Sequence, residues 1–140
     1  MNLRIATLII LLLLVACNTN DNNSPSSQER TFLFGMVSDS TGDLDFTATT
    51  SDPDIISAVL ADLDKPQDQR RHINGAIERG NNGNMNWNWH FKPDDWALAE
   101  MSIELCDGLP TDPQASLDYW VDRVGRFCPW GSFVKQEKKP

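Results

Sequence analysis

The chain has 140 residues with 12 basic and 20 acidic side chains, a formal net charge of −8 at pH 7. So acidic a protein lacks the basic surface that displaces phosphate counterions, and the composition argues against nucleic acid as a partner. Its length gives one small domain with one core and is too short for two.

At the N-terminus Arg4 supplies a short positive region, Ile5 to Val15 an apolar run, and Leu14-Val15-Ala16-Cys17 ends it with a small residue before a cysteine. This is the layout of a secretory signal, and its Leu-x-small-Cys ending resembles the lipobox of bacterial lipoproteins. A run of eleven residues is too short to cross a bilayer core, which takes about 20 in a helix. The expectation is a signal peptide over 1–16 and a lipidated Cys17. Acyl chains such as palmitate would hold the protein at a membrane, at about 0.8 kcal/mol per buried methylene. Asn18 after the cysteine points to the outer membrane of a bacterial envelope, facing the periplasm or the cell surface. Residues 17–30, with five Asn or Asp, three Ser and one Pro, read as a disordered tether. A globular domain is expected over 31–136, and a basic tail over 137–140.

Phe32, Phe34 and Met36, alternating with Leu33, Gly35 and Val37, read as a first strand. After the turn-rich Ser38 to Asp43, Leu44 to Thr50 reads as a second. Asp52-Pro53 starts a helix, the carboxylate accepting from free backbone N–H groups and the proline needing no donor. Ile56, Val59, Leu60 and Leu63 give it a core face. Residues 64–71 form a loop and 71–79 a strand. Gly80 to Asn86 is a turn, after which extended structure resumes over Trp87 to Phe91. Pro93-Asp94-Asp95 reads as another turn, and Trp96 to Cys106 as the longest strand. A second helix is capped by Thr111 or Asp112, begins at Pro113, carries the stripe Leu117, Trp120, Val121 and Val124, and ends at Gly125. Phe127 to Val134 supplies a last strand. Together these elements predict an α+β fold, an antiparallel sheet of about five to six strands with two helices packed on one face.

With Cys17 acylated, Cys106 and Cys128 are the only other thiols, and the expected compartment is oxidising. A disulfide is the default and would contribute on the order of 3 kcal/mol through loop closure. A reactive-thiol or metal pair is the alternative, although no Cys/His spacing of a zinc site lies nearby.

Three blocks carry a family resemblance: Trp87-Asn88-Trp89-His90-Phe91, Leu98 through Gly108, and Leu117-Asp118-Tyr119-Trp120-Val121 followed by Phe127-Cys128-Pro129-Trp130. They resemble the BP-seventy-four type N-terminal domain, found in an amoebal calmodulin-binding protein and in small secreted bacterial proteins labelled calmodulin-binding. The resemblance covers most of the expected domain and carries no catalytic residues to this chain. Calmodulin is a partner only by that family label. Calmodulin targets are basic amphipathic helices, whereas the two helices read here carry Asp54, Asp62, Asp64, Asp112, Asp118 and Asp122.

Two sets of residues could carry function. Asn81, Asn84, Asn86, Trp87 and Trp89 combine amides with aromatic faces, a pairing that binds glycans or peptides, while burial in the core is the competing role for the tryptophans. His72, His90, Glu100 and Glu104 fall on the polar sides of their strands. If they converge, they could bind a divalent metal or perform acid–base chemistry; otherwise they are an outward face of cross-strand ion pairs. Asp39, Asp43, Asp45, Asp52 and Asp54 carry oxygens suited to calcium but lack EF-hand spacing, and turn and capping roles explain them. No pattern calls for a cofactor. The reading is a lipid-anchored, non-enzymatic binding domain for an envelope protein, peptide or glycan, with a metal-binding or acid–base enzyme as the alternative.

Overall fold

The computed structural model describes residues 28–139. The expected signal peptide, Cys17 and the tether up to residue 27 lie outside the described residues. No helix among the described residues is long and apolar enough to cross a membrane.

The described residues form two three-stranded antiparallel sheets. In the first, β1 (Arg30–Met36) lies between β2 (Phe46–Thr50) and β6 (Ser132–Lys138). In the second, β3 (His72–Arg79) lies between β4 (Trp89–Ala99) and β5 (Arg126–Phe127). The mixed α+β class and the antiparallel pairing hold, but the single five- to six-stranded sheet is corrected to two. The Phe127–Val134 segment divides at a turn closed by Ser132 N–H donating to Pro129 O at 2.9 Å. As a result β5 joins β3 while β6 returns to β1. Alternation along a strand says which side chains share a face and nothing about which strands pair.

Between the sheets lies an aromatic core. Phe32, Phe34, Phe46, Trp89 and Phe127 are fully buried, with Phe91 at 2% exposure. Phe34 stacks on Phe46 with centroids 5.6 Å apart, and Phe127 meets Trp89 and Trp120 edge-on at 5.2 and 5.5 Å. Offset-stacked and edge-on contacts are the ones ring quadrupoles favour. Helix α1 (Pro53–Leu63) begins as expected: the Asp52 carboxylate accepts from the N–H groups of Asp54 and Ile55 at 2.8 and 3.3 Å, with Pro53 in the first turn. Its inner face is displaced from the expected one. Ile56 and Val59 are buried, but Leu60 is exposed and the third buried position is Asp62.

Other expectations change along β4. Pro93-Asp94-Asp95 does not end a strand; it is a bulge within one. Ile77 pairs with Phe91 and Gly75 with Trp96, so residues 92–95 stand opposite Ala76 alone. Asp94 adopts φ 62° there, a left-handed conformation that aspartate tolerates better than most residues. Trp96 follows so closely on Gly75 that a β-carbon at residue 75 would collide with its Cβ.

β4 then stops at Ala99, so the expected Trp96–Cys106 strand is little more than a third realised. Residues 100–103 are irregular and Glu104–Cys106 form a short 3-10 turn. The second helix is broken as well. Helix α2 (Thr111–Ala115) ends at Ser116, whose φ of −143° is not helical, and α3 (Leu117–Tyr119) runs into a π turn over Trp120–Val124. Gly125, at φ 72°, closes that turn by donating its N–H to Trp120 O at 2.7 Å. A left-handed glycine after the last turn is the expected stop. No side chain caps α2; the Asp112 carboxylate accepts instead from Leu109 N–H at 2.7 Å. Nor do the helices share one face: α1 lies against β4 and β6, the π turn against β3 and β5. Cys106 and Cys128 are joined in a disulfide, and Cys128 N–H donates to Cys106 O at 2.7 Å beside it.

Candidate functional site

The Asn/Trp segment serves the fold. β2 is the outer strand of its sheet, and the backbone groups on its free side need partners. They belong to alternate residues, and each is met by a side chain from the loop before β4 or from β4 itself. Trp87 Nε1 donates to Asp45 O at 2.8 Å, and Asn84 Oδ1 accepts from Thr47 N–H at 2.7 Å. Trp96 Nε1 donates to Thr49 O at 2.9 Å, and the Asp94 carboxylate accepts from Ser51 N–H at 2.6 Å. The edges of the two sheets are therefore closed by side chains where no backbone ladder runs. Asp94 also accepts from Thr50 Oγ1 at 2.8 Å; these backbone and hydroxyl donors hold its carboxyl below the usual range.

The expected display of Trp87 and Trp89 to a ligand is thus corrected: they are 9% and 0% exposed, and the Trp89 indole donates to Pro110 O at 3.1 Å. Asn84, at 1% exposure, also donates its amide to Trp89 O at 2.7 Å. Asn81 folds its amide onto Met85 O and Trp87 O, both at 2.9 Å, and accepts from Gly83 N–H. Of the five residues, Asn86 faces solvent and Asn81 is exposed with its amide engaged.

The His/Glu set does not converge. His72 of β3 and His90 of β4 lie at opposite ends of the β3–β4 pair, His72 opposite Ala99 and His90 opposite Glu78, roughly 20 Å apart at strand rise. His90 bonds Gly80 O through Nδ1 at 2.8 Å and approaches Glu78 Oε2 at 3.4 Å. Glu100 and Glu104 are exposed beyond the end of β4. No group of three or more His, Cys, Asp or Glu among the described residues is placed to hold a metal.

His72 has a partner that sequence reading missed. Its Nε2 lies 2.7 Å from Ser102 Oγ, which also accepts from Asn74 Nδ2 at 2.8 Å. Burial pushes the imidazole pKa down, and the charge of Asp107 offsets this only in part. The shift favours the neutral ring, and the tautomer protonated at Nδ1 can accept from the Ser102 hydroxyl. The pair floors a hollow of about 330 Å³, lined also by Glu100, Met101 and Trp130.

Several other acids serve the fold. Asp39 accepts from Leu44 N–H and from the Thr41 hydroxyl and N–H, which lowers its pKa to about 2. Asp45 pairs with Lys135 at 2.7 Å. Burial pushes the carboxyl of Asp62 up, but Arg71 and Lys65, at 2.9 and 2.8 Å, outweigh that and hold it below the ordinary value. Arg70 donates to the carbonyls of Lys65, Leu63 and Val134, so both neighbouring arginines are engaged within the fold.

One surface remains without an internal role. Met101, Ile103, Leu105, Leu109, Trp130 and Val37 are 88, 68, 59, 41, 47 and 67% exposed. They gather at the disulfide end: Met101 and Trp130 line the hollow over His72, while Val37, Leu109 and Gly131, next to Trp130, line a second. The expected Trp96–Cys106 strand would put Met101, Ile103 and Leu105 on one face with Ala97 and Ala99; β4 ends at Ala99, and the three stand exposed.

These features define a disulfide-stapled α+β domain whose two small sheets are joined along one edge by indole, amide and carboxylate side chains. The chain belongs to the BP-seventy-four N-terminal domain family, whose family model matches residues 28–140. No curated protein and no solved structure matches the chain.

Proposed function

We propose that this chain is a non-enzymatic binding domain, lipid-anchored through Cys17 in a bacterial cell envelope, at the outer membrane facing the periplasm or the cell surface. It meets a protein or peptide partner through the apolar end formed by Met101, Ile103, Leu105, Leu109, Trp130 and Val37. The observation that carries this reading is that these exposed side chains lie in or beside the segments the disulfide joins and in the two hollows next to it, since exposed apolar side chains grouped on a small domain mark interaction sites. It moves the contact surface away from the Asn-rich loop. The lipobox-like Leu14-Val15-Ala16-Cys17 supports the anchor. Calmodulin, the partner implied by the family resemblance, would need a basic helix that the acidic α1 and α2–α3 segments do not supply.

A photo-crosslinking side chain at position 103 should capture a discrete envelope partner, whereas the same group at the exposed position 88 should not. Equal capture from both positions, or none from 103, would count against this surface. Cys17→Ser should release the protein from membranes, and continued tight attachment would refute the anchor. Acid–base chemistry has one observation in its favour, the 2.7 Å contact of His72 with Ser102 at the floor of an open hollow. An acyl ester probe that labels the full chain but not its Ser102→Ala variant would support that alternative.

A further inference from the structure

We infer that the partner seated on this apolar end is a cationic amphipathic peptide segment; the inference rests on the surface proposed above and names its ligand. The argument is one of charge. Residues 93–122 contain eight Asp or Glu and no Lys, Arg or His. Four of the eight are engaged elsewhere. Asp94 binds the β2–α1 junction, Asp95 lies near Lys92 and Arg126, and Asp118 and Asp122 hold Arg79. The other four, Glu100, Glu104, Asp107 and Asp112, have no cation within ion-pair distance among the described residues. Asp107 and Asp112 accept only from backbone N–H groups, which leave their charge in place.

These four stand among the exposed apolar side chains. Glu100 lines the hollow with Met101 and Trp130, Asp107 and Asp112 line the second with Val37 and Leu109, and Glu104 lies between Ile103 and Leu105 in sequence. An apolar centre whose two hollows are lined by carboxylates and by no Lys or Arg complements a helix with one apolar and one basic face. The exposed Met101 adds an adaptable, polarisable contact. The same carboxylates disfavour docking on an anionic bilayer, where surface-seeking segments carry Lys and Arg around their apolar face.

The test uses the full-length chain on phosphatidylcholine vesicles, titrated with a fluorescent Lys/Leu amphipathic peptide of about 18 residues, long enough to hold a helix. Blank vesicles and a Glu/Leu peptide of the same pattern serve as controls. The Lys/Leu peptide should bind the protein-bearing vesicles and the Glu/Leu peptide should not. Binding should weaken at least tenfold in Met101→Ser/Ile103→Ser and in Glu100→Gln/Glu104→Gln, and should weaken with added salt. Asp54→Asn/Glu78→Gln makes the same change in net charge, at the first turn of α1 and at the end of β3 opposite to His72, and should leave binding within twofold. Equal loss in that control would reduce the effect to overall charge and overturn the inference, as would equal binding of both peptides. If crosslinks form from position 103 but the Lys/Leu peptide does not bind, the surface stands and the partner chemistry is wrong. If Met101→Ser/Ile103→Ser instead loosens the chain from the vesicles with no peptide binding, the face docks on lipid and the inference fails.

Discussion

Asn84→Ala separates a structural from a ligand-binding role for the Asn-rich loop. In the folded chain the Asn84 amide is 1% exposed and spans the seam between the sheets, accepting from Thr47 N–H and donating to Trp89 O, both at 2.7 Å. Truncation leaves one buried donor and one buried acceptor without partners, at about 1 to 3 kcal/mol each. Gly83 and Asn82 beside it are exposed, so water can reach part of the gap and the lower half of the range applies, about 3 kcal/mol in all. For a domain of this size that lowers the melting temperature by about 12 to 24 °C. Freeing the β2 edge should also raise aggregation, since an unsealed edge strand can pair with another chain. Thermal melts by circular dichroism, urea titration and light scattering read these effects. Asn86→Ala, at an exposed position, should stay within about 0.5 kcal/mol of the parent. If Asn84→Ala unfolds within that margin, or Asn86→Ala proves as costly, the sealing role is refuted.

Asp62→Asn should destabilise by about 2 to 4 kcal/mol in urea titration. Removing one partner of a fully buried pair costs more, but Arg71 and Lys65 keep 27% and 41% side-chain exposure and can recover water; a neutral result would mean that the pair is dispensable. Cys106→Ala/Cys128→Ala should cost about 3 kcal/mol from the loop closed across a separation of 22 residues, and a loss under about 1 kcal/mol would show that the chain-entropy account fails here. His72 has a folded pKa below its unfolded value of 6.5, so the unfolded state binds the proton first. Stability is intact above pH 6.5 and falls as the pH drops through 6.5 toward the folded pKa. His72→Gln should flatten that slope relative to the parent between about pH 7.5 and 5.5, and parallel slopes would refute the assignment.

Where a residue's role is set by its neighbours in sequence, the chain was readable. The Asp52-Pro53 helix start, the β1 alternation that buries Phe32, Phe34 and Met36, and the Gly125 stop all act within a few residues, and with Cys17 of the three cysteines set aside, one pairing is left. Long-range choices were not readable. The segment Ala97 to Leu105 alternates as a strand does, yet β4 ends at Ala99. Alternation marks a possible strand, and only a neighbouring strand with a free edge can realise it. Beyond Ala99, β3 has already ended at His72, which is Ala99's partner.

The candidate site moved for the same reason. An Asn/Trp-rich stretch offers hydrogen-bonding groups and ring faces, and a sequence cannot say whether a ligand or the protein's own backbone will use them. Here the backbone does, through alternate residues of β2 and its flanks that meet Trp87, Asn84, Trp96 and Asp94 in turn. A short outer strand with no further strand beside it among the described residues needs donors and acceptors at fixed spacing, and these four side chains supply them. Side chains that complete the fold are withdrawn from recognition of anything else. What is left outside the fold's own bonding is the segment after β4, which no strand pairs, whose apolar side chains stand exposed and whose carboxylates meet no cation among the described residues, and there the proposed recognition is placed.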